Sequence, residues 1–219
     1  MKLGKLTWLT WLVILITWLL VAWYYTRLPE SVPVHWNYQG VADRYMDKPW
    51  GALLLPIITT GLVALLMVLP TISPKGFRLE AARRSYGVII FVMALFMLAI
   101  QIVTFEVALG RGWDISKLVP AGVGLLLAVI GNYLSKFPKN FFVGIRTPWT
   151  LASDEVWFKT HRLAGWLFSI AGVVMFFGAL IGLPMAPLIV VVLAAALIPV
   201  VFSLFYYRKL HGFKSENNS

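Results

Sequence analysis

The chain has 219 residues, 60% of them hydrophobic, with a mean hydropathy of +0.81 and a formal net charge of +10 at pH 7. A soluble domain is about half apolar, so this composition excludes an ordinary soluble protein and points to a bilayer. Cysteine is absent, which removes disulfide frameworks, thiolate nucleophiles and Cys-ligated metals.

About 20 apolar helical residues cross the hydrocarbon core. Six runs meet that length, at 6–26, 51–70, 86–108, 119–135, 164–183 and 187–207. They predict an all-α polytopic protein with a single membrane domain over 1–219. The first run is too long and too rich in Trp for a cleaved signal peptide, and no small-residue cleavage motif follows it. It is expected to remain as a transmembrane helix.

Sorting the 19 Lys and Arg residues by side sets the expected orientation. With the N-terminus inside, Arg27, Arg44, Lys48, Arg111 and Lys117 fall outside and the other fourteen fall inside, including Lys2, Lys75, Arg78 and Lys214. Both termini are therefore expected in the cytoplasm, with the protein multi-pass in a cytoplasmic membrane. The net charge then serves topology and attraction to anionic lipid, not nucleic acid binding. Trp23, Trp50 and Trp113 fall near the outer interface, and Trp8, Trp149 and Trp166 near the inner one.

The first connection, 27–50, contains "RLPESVPVHWNYQGVADRYMDKPW". Pro29 and Pro33 push the preceding residues out of helical geometry and "NYQG" offers a turn closing at Gly40, which predicts an extended, turned outer arm. His35, Asn37, Asp43 and Asp47 lack a recognisable metal-ligand spacing. The simpler expectation is that His35 and Asn37 bond the arm's own backbone while Asp43 or Asp47 pairs with Arg44 or Lys48.

Between the second and third spans, "EAARRSYG" pairs Glu80 with Arg84 at helical spacing and reads as a stop-transfer flank. In the third span, Glu106 is an ionisable residue near the outer end, preceded by Gln101 and Thr104. Lying a turn from Arg111, it is expected to snorkel or pair locally. Pro120 suits the first turn of the fourth helix, and Pro138 helps to stop that helix. "GLPMAP", Gly182 to Pro187, makes the last two spans an antiparallel hairpin. Pro199 is expected to kink the last span, with a neighbouring helix or Ser203 satisfying the freed carbonyl.

The second long connection, 136–163, holds "NFFVGIRTPWTLASDEVWFKTHR". Gly144 permits a tight backbone, Thr147 precedes Pro148 and is extended, and Ser153 before Asp154 and Glu155 reads as a helix N-cap. The following helix is expected to run from about Asp154 to Leu183, longer than the hydrocarbon core. Its Glu155–Lys159 and Phe158–Arg162 pairs are four residues apart and support it. Arg146, Lys159 and Arg162 can be explained as positive-inside residues and the tryptophans as anchors. That account leaves over Asn132, Asn140, Thr147, Thr150, Ser153, Thr160 and His161, a polar density that a docking surface would use. His161 has only Thr and Ser as candidate nucleophiles and no clear orienting acid, so no catalytic, cofactor or metal site is expected.

Two segments carry a family resemblance. "LPESVPVHWNYQG" followed by Asp43, and "GNYLSKFPKNFFVGIRTPWTLASDEVWFKTHRLAG", resemble the SdpI family of bacterial membrane proteins. The match in Gly144 to Thr150 and again at Val156, Trp157 and Lys159 to Arg162 is without a gap. The resemblance implies protection of the membrane against a secreted antimicrobial peptide and recruitment of a small winged-helix repressor to the cytoplasmic side. On that basis Pro33, His35, Trp36, Asn37, Gly40 and Asp43 are expected to shape a toxin-binding outer surface. Asn132, Asn140, Gly144, Arg146, Thr147, Trp149, Thr150, Trp157, Lys159, Thr160, His161 and Arg162 are expected to form the inner partner surface. The alternative is a small transporter or exporter of an amphipathic peptide or lipid-like molecule, which would need a polar path that only Gln101, Glu106, Asn132 and a few hydroxyls could supply.

Overall fold

The computed structural model describes residues 5–37, 39–72 and 82–212. Helices α1 (Lys5–Tyr25), α2 (Trp50–Val68), α3 (Arg83–Ala108), α4 (Ile115–Leu134), α6 (Asp154–Leu180) and α7 (Met185–His211) are long and apolar enough to cross a membrane. A short helix α5 (Pro148–Ala152) lies in the loop before α6, and a 3₁₀ turn, Leu69–Ile72, follows α2. Lys2, Lys75, Arg78, Lys214 and the Glu80–Arg84 pairing lie outside the described residues.

The burial pattern is that of a protein whose solvent is lipid. Leucines and tryptophans of α1 such as Trp8, Leu12, Leu15 and Leu19 face outward, while small and polar residues such as Thr10, Thr17, Thr59, Ala94 and Ser203 are buried among the apolar core. Close helix packing in a bilayer favours small residues because apolar surface gains little by leaving lipid. The buried hydroxyls return to their own helices, Thr17 donating to the Val13 carbonyl at 2.9 Å and Thr59 to the Leu55 carbonyl at 2.8 Å. No water is needed to satisfy them.

The helices gather in two threes. One core joins α1, α2 and α3 through Val13, Ile14, Val63, Tyr86 and Ile90, with Phe137 from the loop after α4 tucked beneath it. The other joins α4, α6 and α7 through Ala121, Ala179 and Leu188, and α3 packs on α4 between them. The α4–α6 crossing is the tightest contact. A Cβ on Gly131 would stand 2.6 Å from the Ser169 amide nitrogen, one on Gly165 would stand 2.8 Å from the Gly131 carbonyl oxygen, and one on Gly124 would stand 2.5 Å from the Phe176 nitrogen. Only glycine lets these backbones approach so closely.

Several expectations change. The arm at 27–50 is not merely extended, so the fold is not purely α: β1 (Ser31–Trp36) and β2 (Ala42–Asp47) form an antiparallel hairpin with a bulge around His35. Helix α4 starts at Ile115, four residues before the apolar run, because Asp114 caps it by accepting from the Ser116 amide at 3.1 Å. Pro120 therefore lies inside the helix, beyond its first turn. Ser203 does not reach the carbonyl freed by Pro199; it donates to the Val200 carbonyl at 2.6 Å and meets Thr147 Oγ1 at 3.0 Å. Glu155 accepts from Tyr206 at 2.8 Å and has no ion pair with Lys159 among the described residues. The α6–α7 hairpin turns through Gly182 at φ +77°, a left-handed conformation that favours glycine.

Candidate functional site

Two structured regions stand at opposite ends of the bundle. At one end, the hairpin sits on Val32, which is fully buried in a cluster with Val21, Tyr24, Leu28, Ala52 and Phe105. Burying a valine contributes roughly 1.5–3 kcal/mol and holds β1 against the helices. Pro33 is buried beside it, whereas every residue of β2 after Ala42 is exposed. The turn is closed by Asn37, whose Oδ1 accepts from the Gln39 and Val41 amides at 2.9 and 3.1 Å. Gly40, at φ +77°, touches Ser116 at the start of α4, where a Cβ would come within 2.7 Å of the serine Cβ. The hairpin tip therefore rests on the second group of helices.

His35 does not bond the arm's backbone. Its Nδ1 meets Asp43 Oδ1 at 2.5 Å across the bulge, so Asp43 pairs with His35 and not with Arg44 or Lys48. That hydrogen bond is the main cause that holds the Asp43 carboxyl below the usual carboxylate range. Lys48 instead bonds the Leu28 carbonyl at 3.0 Å and lies 3.9 Å from Glu30. Exposed around this pair are Val41, Tyr45 and Met46, the last two on β2. These three were not singled out in the sequence; their signal is apolar residues standing in a strand whose neighbours are charged.

Beneath the hairpin, Glu106 is 5% exposed and does not snorkel. It pairs locally: Arg111 Nη1 reaches both carboxylate oxygens, at 2.8 and 2.6 Å, and Tyr24 of α1 donates to Oε1. The carboxylate thus joins α1, α3 and the α3–α4 turn. Gln101, lower on α3, is buried with its Oε1 unpartnered.

At the other end the 136–153 loop is a built object. Asn140 is wholly buried and uses its whole amide: Nδ2 donates to the Pro138 and Val143 carbonyls at 2.8 and 3.1 Å, and Oδ1 accepts from the Phe142 and Val143 amides at 2.8 and 2.7 Å. Thr147 and Thr150 form a capping box for α5, and Thr150 Oγ1 also donates to the Ile145 carbonyl at 2.8 Å. Trp157 Nε1 donates to the Phe137 carbonyl at 2.9 Å. His161 stacks on Trp157 with ring centroids 3.9 Å apart. Its Nε2 accepts from the Ile145 amide at 2.9 Å, which leaves the ring proton on Nδ1 to be donated to the Trp157 carbonyl at 2.8 Å. Both ring nitrogens are engaged, so neither is free to act as a base. Gly144, at φ +114°, lies against this ring, and a Cβ there would overlap His161 Nε2.

The expected inner surface therefore divides. Asn140, Thr150, Trp157, Thr160 and His161 are buried and shape the loop from within; none of them presents a face to a partner in this conformation. Thr160 Oγ1 has no hydrogen-bond partner. Gly144 and Thr147 are half-buried, and they too are spent on the loop's shape. Arg146 and Lys159 are exposed and Trp149 is half-buried. Arg146 donates to the Phe141 carbonyl. Lys139 pairs with Asp154 at 2.6 Å, a contact not anticipated from the sequence, though with Asp154 exposed it contributes at most about 1 kcal/mol. Asn132 and Arg162 are exposed elsewhere, on the facing sides of α4 and α6.

Comparison with known proteins matches both ends. Residues 136–207 match the SdpI/YfhL protein family, and residues 12–60, which contain the hairpin, match a domain of unknown function, DUF1648. Across 196 residues, 86% of this chain and 89% of the relative, the sequence is 27% identical to "Immunity protein SdpI" of Bacillus subtilis (strain 168). No solved structure matches. The loop built around Asn140 and His161 falls inside the segment that matches the SdpI/YfhL family, and the hairpin falls inside the segment that matches DUF1648.

Proposed function

We propose that this protein is a membrane immunity protein that protects a bacterium against a secreted antimicrobial peptide, with the hairpin as the face that meets the toxin. The observation that carries this reading is similarity to an immunity protein over nearly the whole length of both chains, hairpin and loop included. Pro33, Asn37 and Gly40 shape the hairpin, and His35, Trp36 and Asp43, joined by Val41, Tyr45 and Met46, form its contact surface. The open edge of β2 and its exposed apolar side chains suit an amphipathic peptide, which could add along the strand. Expression in toxin-sensitive cells tests this. Growth in the presence of the peptide should be restored, and Tyr45→Ala with Met46→Ala should reduce that protection while leaving membrane insertion unchanged. Full protection by this variant would remove the hairpin from the account.

A second activity is favoured by the exposed cations at the loop end. With that end in the cytoplasm, as the charge asymmetry predicts, the exposed Arg146 and Lys159 and the half-buried Trp149 suit the recruitment of a small winged-helix repressor. Arg146→Ala with Lys159→Ala should spare toxin protection and abolish co-sedimentation of the repressor with membranes. Equal loss of both would refute the division of labour. A transporter that exports the peptide predicts instead that protection collapses when the proton gradient is removed.

A further inference from the structure

Between α4 and α6, from their glycine crossing toward the loop end, runs an open groove of about 660 Å³. Its loop-proximal end is polar and basic, with Asn132 from α4, Ser135 and Lys136 just after that helix, and Arg162 from α6. Its deeper part is floored by the glycine crossing and bounded by Ala128 and Val173. Phe158 and Trp166 stand on the α6 edge, 51% and 67% exposed. From Arg162 to Val173 is about 16 Å along the helix axis.

Three features fix the chemistry of an occupant. The lining contains two cations and no carboxylate; the nearby acids are taken, Asp154 by Lys139 and Glu155 by Tyr206. Among the described residues Arg162 has no ion pair, and Lys136 rests its ammonium on the Tyr133 ring, 4.1 Å from the centroid. The basic end continues into a mostly apolar stretch lined by Ala128, Gly165 and Val173 and lying next to the exposed Ile170, on helices long and apolar enough to cross a membrane. A soluble anion would use the first part and have no use for the second. A lipid with a negatively charged head uses both.

We propose that this groove binds one anionic phospholipid from the adjoining leaflet, its phosphate held by Lys136 and Arg162 with hydrogen bonds from Asn132 and Ser135, and one acyl chain laid along the trough toward Val173. The headgroup site fits the geometry of charge-assisted contact, an arginine fork beside a mobile ammonium. Because the groove lies where α4 meets α6, the lipid would brace the crossing that carries the family's loop. The site rests on the membrane placement of α4 and α6 and is independent of any toxin or repressor.

Native mass spectrometry of the full chain released from nanodiscs containing equal phosphatidylglycerol and phosphatidylcholine tests it. One phosphatidylglycerol should be retained in preference to phosphatidylcholine. Lys136→Gln with Arg162→Gln should reduce that preference by at least about tenfold, while Arg83→Gln with Lys209→Gln, which removes the same charge away from the groove, should keep it. Val173→Trp, which fills the trough and leaves both cations in place, should lower retention of either lipid, with size-exclusion profiles checking that every variant stays folded. Equal retention by the two charge variants, no preference in the wild-type chain, or displacement of the lipid by millimolar inorganic phosphate would overturn the proposal.

Discussion

Replacing Gly144 by alanine probes the joint between the loop and α6. The alanine Cβ would overlap His161 Nε2 and come within 2.9 Å of Cδ2, and φ at this residue is +114°. Two costs arise. The backbone strain of a non-glycine residue in this region is about 1–3 kcal/mol, and driving the ring aside adds about 1–3 kcal/mol of overpacking. His161→Ala alone strands the Ile145 amide, at about 1–3 kcal/mol, and loses the stack on Trp157. In the double variant the strain remains but the overlap is gone. The two substitutions should therefore be less than additive by about 1–3 kcal/mol. Amide exchange of the loop peptide in nanodiscs reads this directly, since about 1.4 kcal/mol of local opening is a tenfold change in rate. His161→Phe separates the terms, keeping ring and volume while removing the acceptor, and should accelerate exchange at Ile145 most. If Gly144→Ala costs the same with and without the imidazole, within about 0.5 kcal/mol, the ring is not what this glycine makes room for.

Other perturbations have equally definite outcomes. Asn140→Ala removes four hydrogen bonds and leaves two amides orphaned, so limited proteolysis within 136–152 should accelerate strongly, whereas Asn140→Asp, which keeps the Oδ1 acceptor, should do less damage. Arg111→Ala leaves the buried Glu106 carboxylate with Tyr24 alone and should lower thermal stability; adding Glu106→Gln should recover part of the loss, because a neutral amide tolerates that site better. At the hairpin, the His35 bond depresses the Asp43 pKa, so the stabilisation is present above the ordinary carboxylate value of about 4 and is lost as pH falls through the depressed one. Tyr45 and Trp36 fluorescence should report loosening in that acid range, and Asp43→Asn should abolish the transition.

The spans were legible because hydropathy and length act over some twenty residues and average out local noise. Their edges were not, and Asp114 shows why: a single capping carboxylate starts α4 before the apolar run does. Strand pairing in the arm was hidden because Pro33 and a bulge at His35 break the alternation that would announce β1. Ser153 as an N-cap and Thr147 as an extended residue before Pro148 could be read locally, and the structure has both. His161 could not be understood that way, since its partners are the Ile145 amide and the Trp157 carbonyl, and no side-chain pattern reports a backbone partner. The α4–α6 crossing did leave a signal, in glycines seven apart at 124 and 131 and again at 165 and 172, where each pair keeps to one helix face.

The most direct test of the immunity account is the membrane potential of toxin-sensitive bacteria expressing this protein, followed before and after addition of the secreted peptide. The account predicts that polarisation is held while empty-vector cells depolarise. Depolarisation at the control rate, with insertion of the protein verified in the same cells, would contradict it.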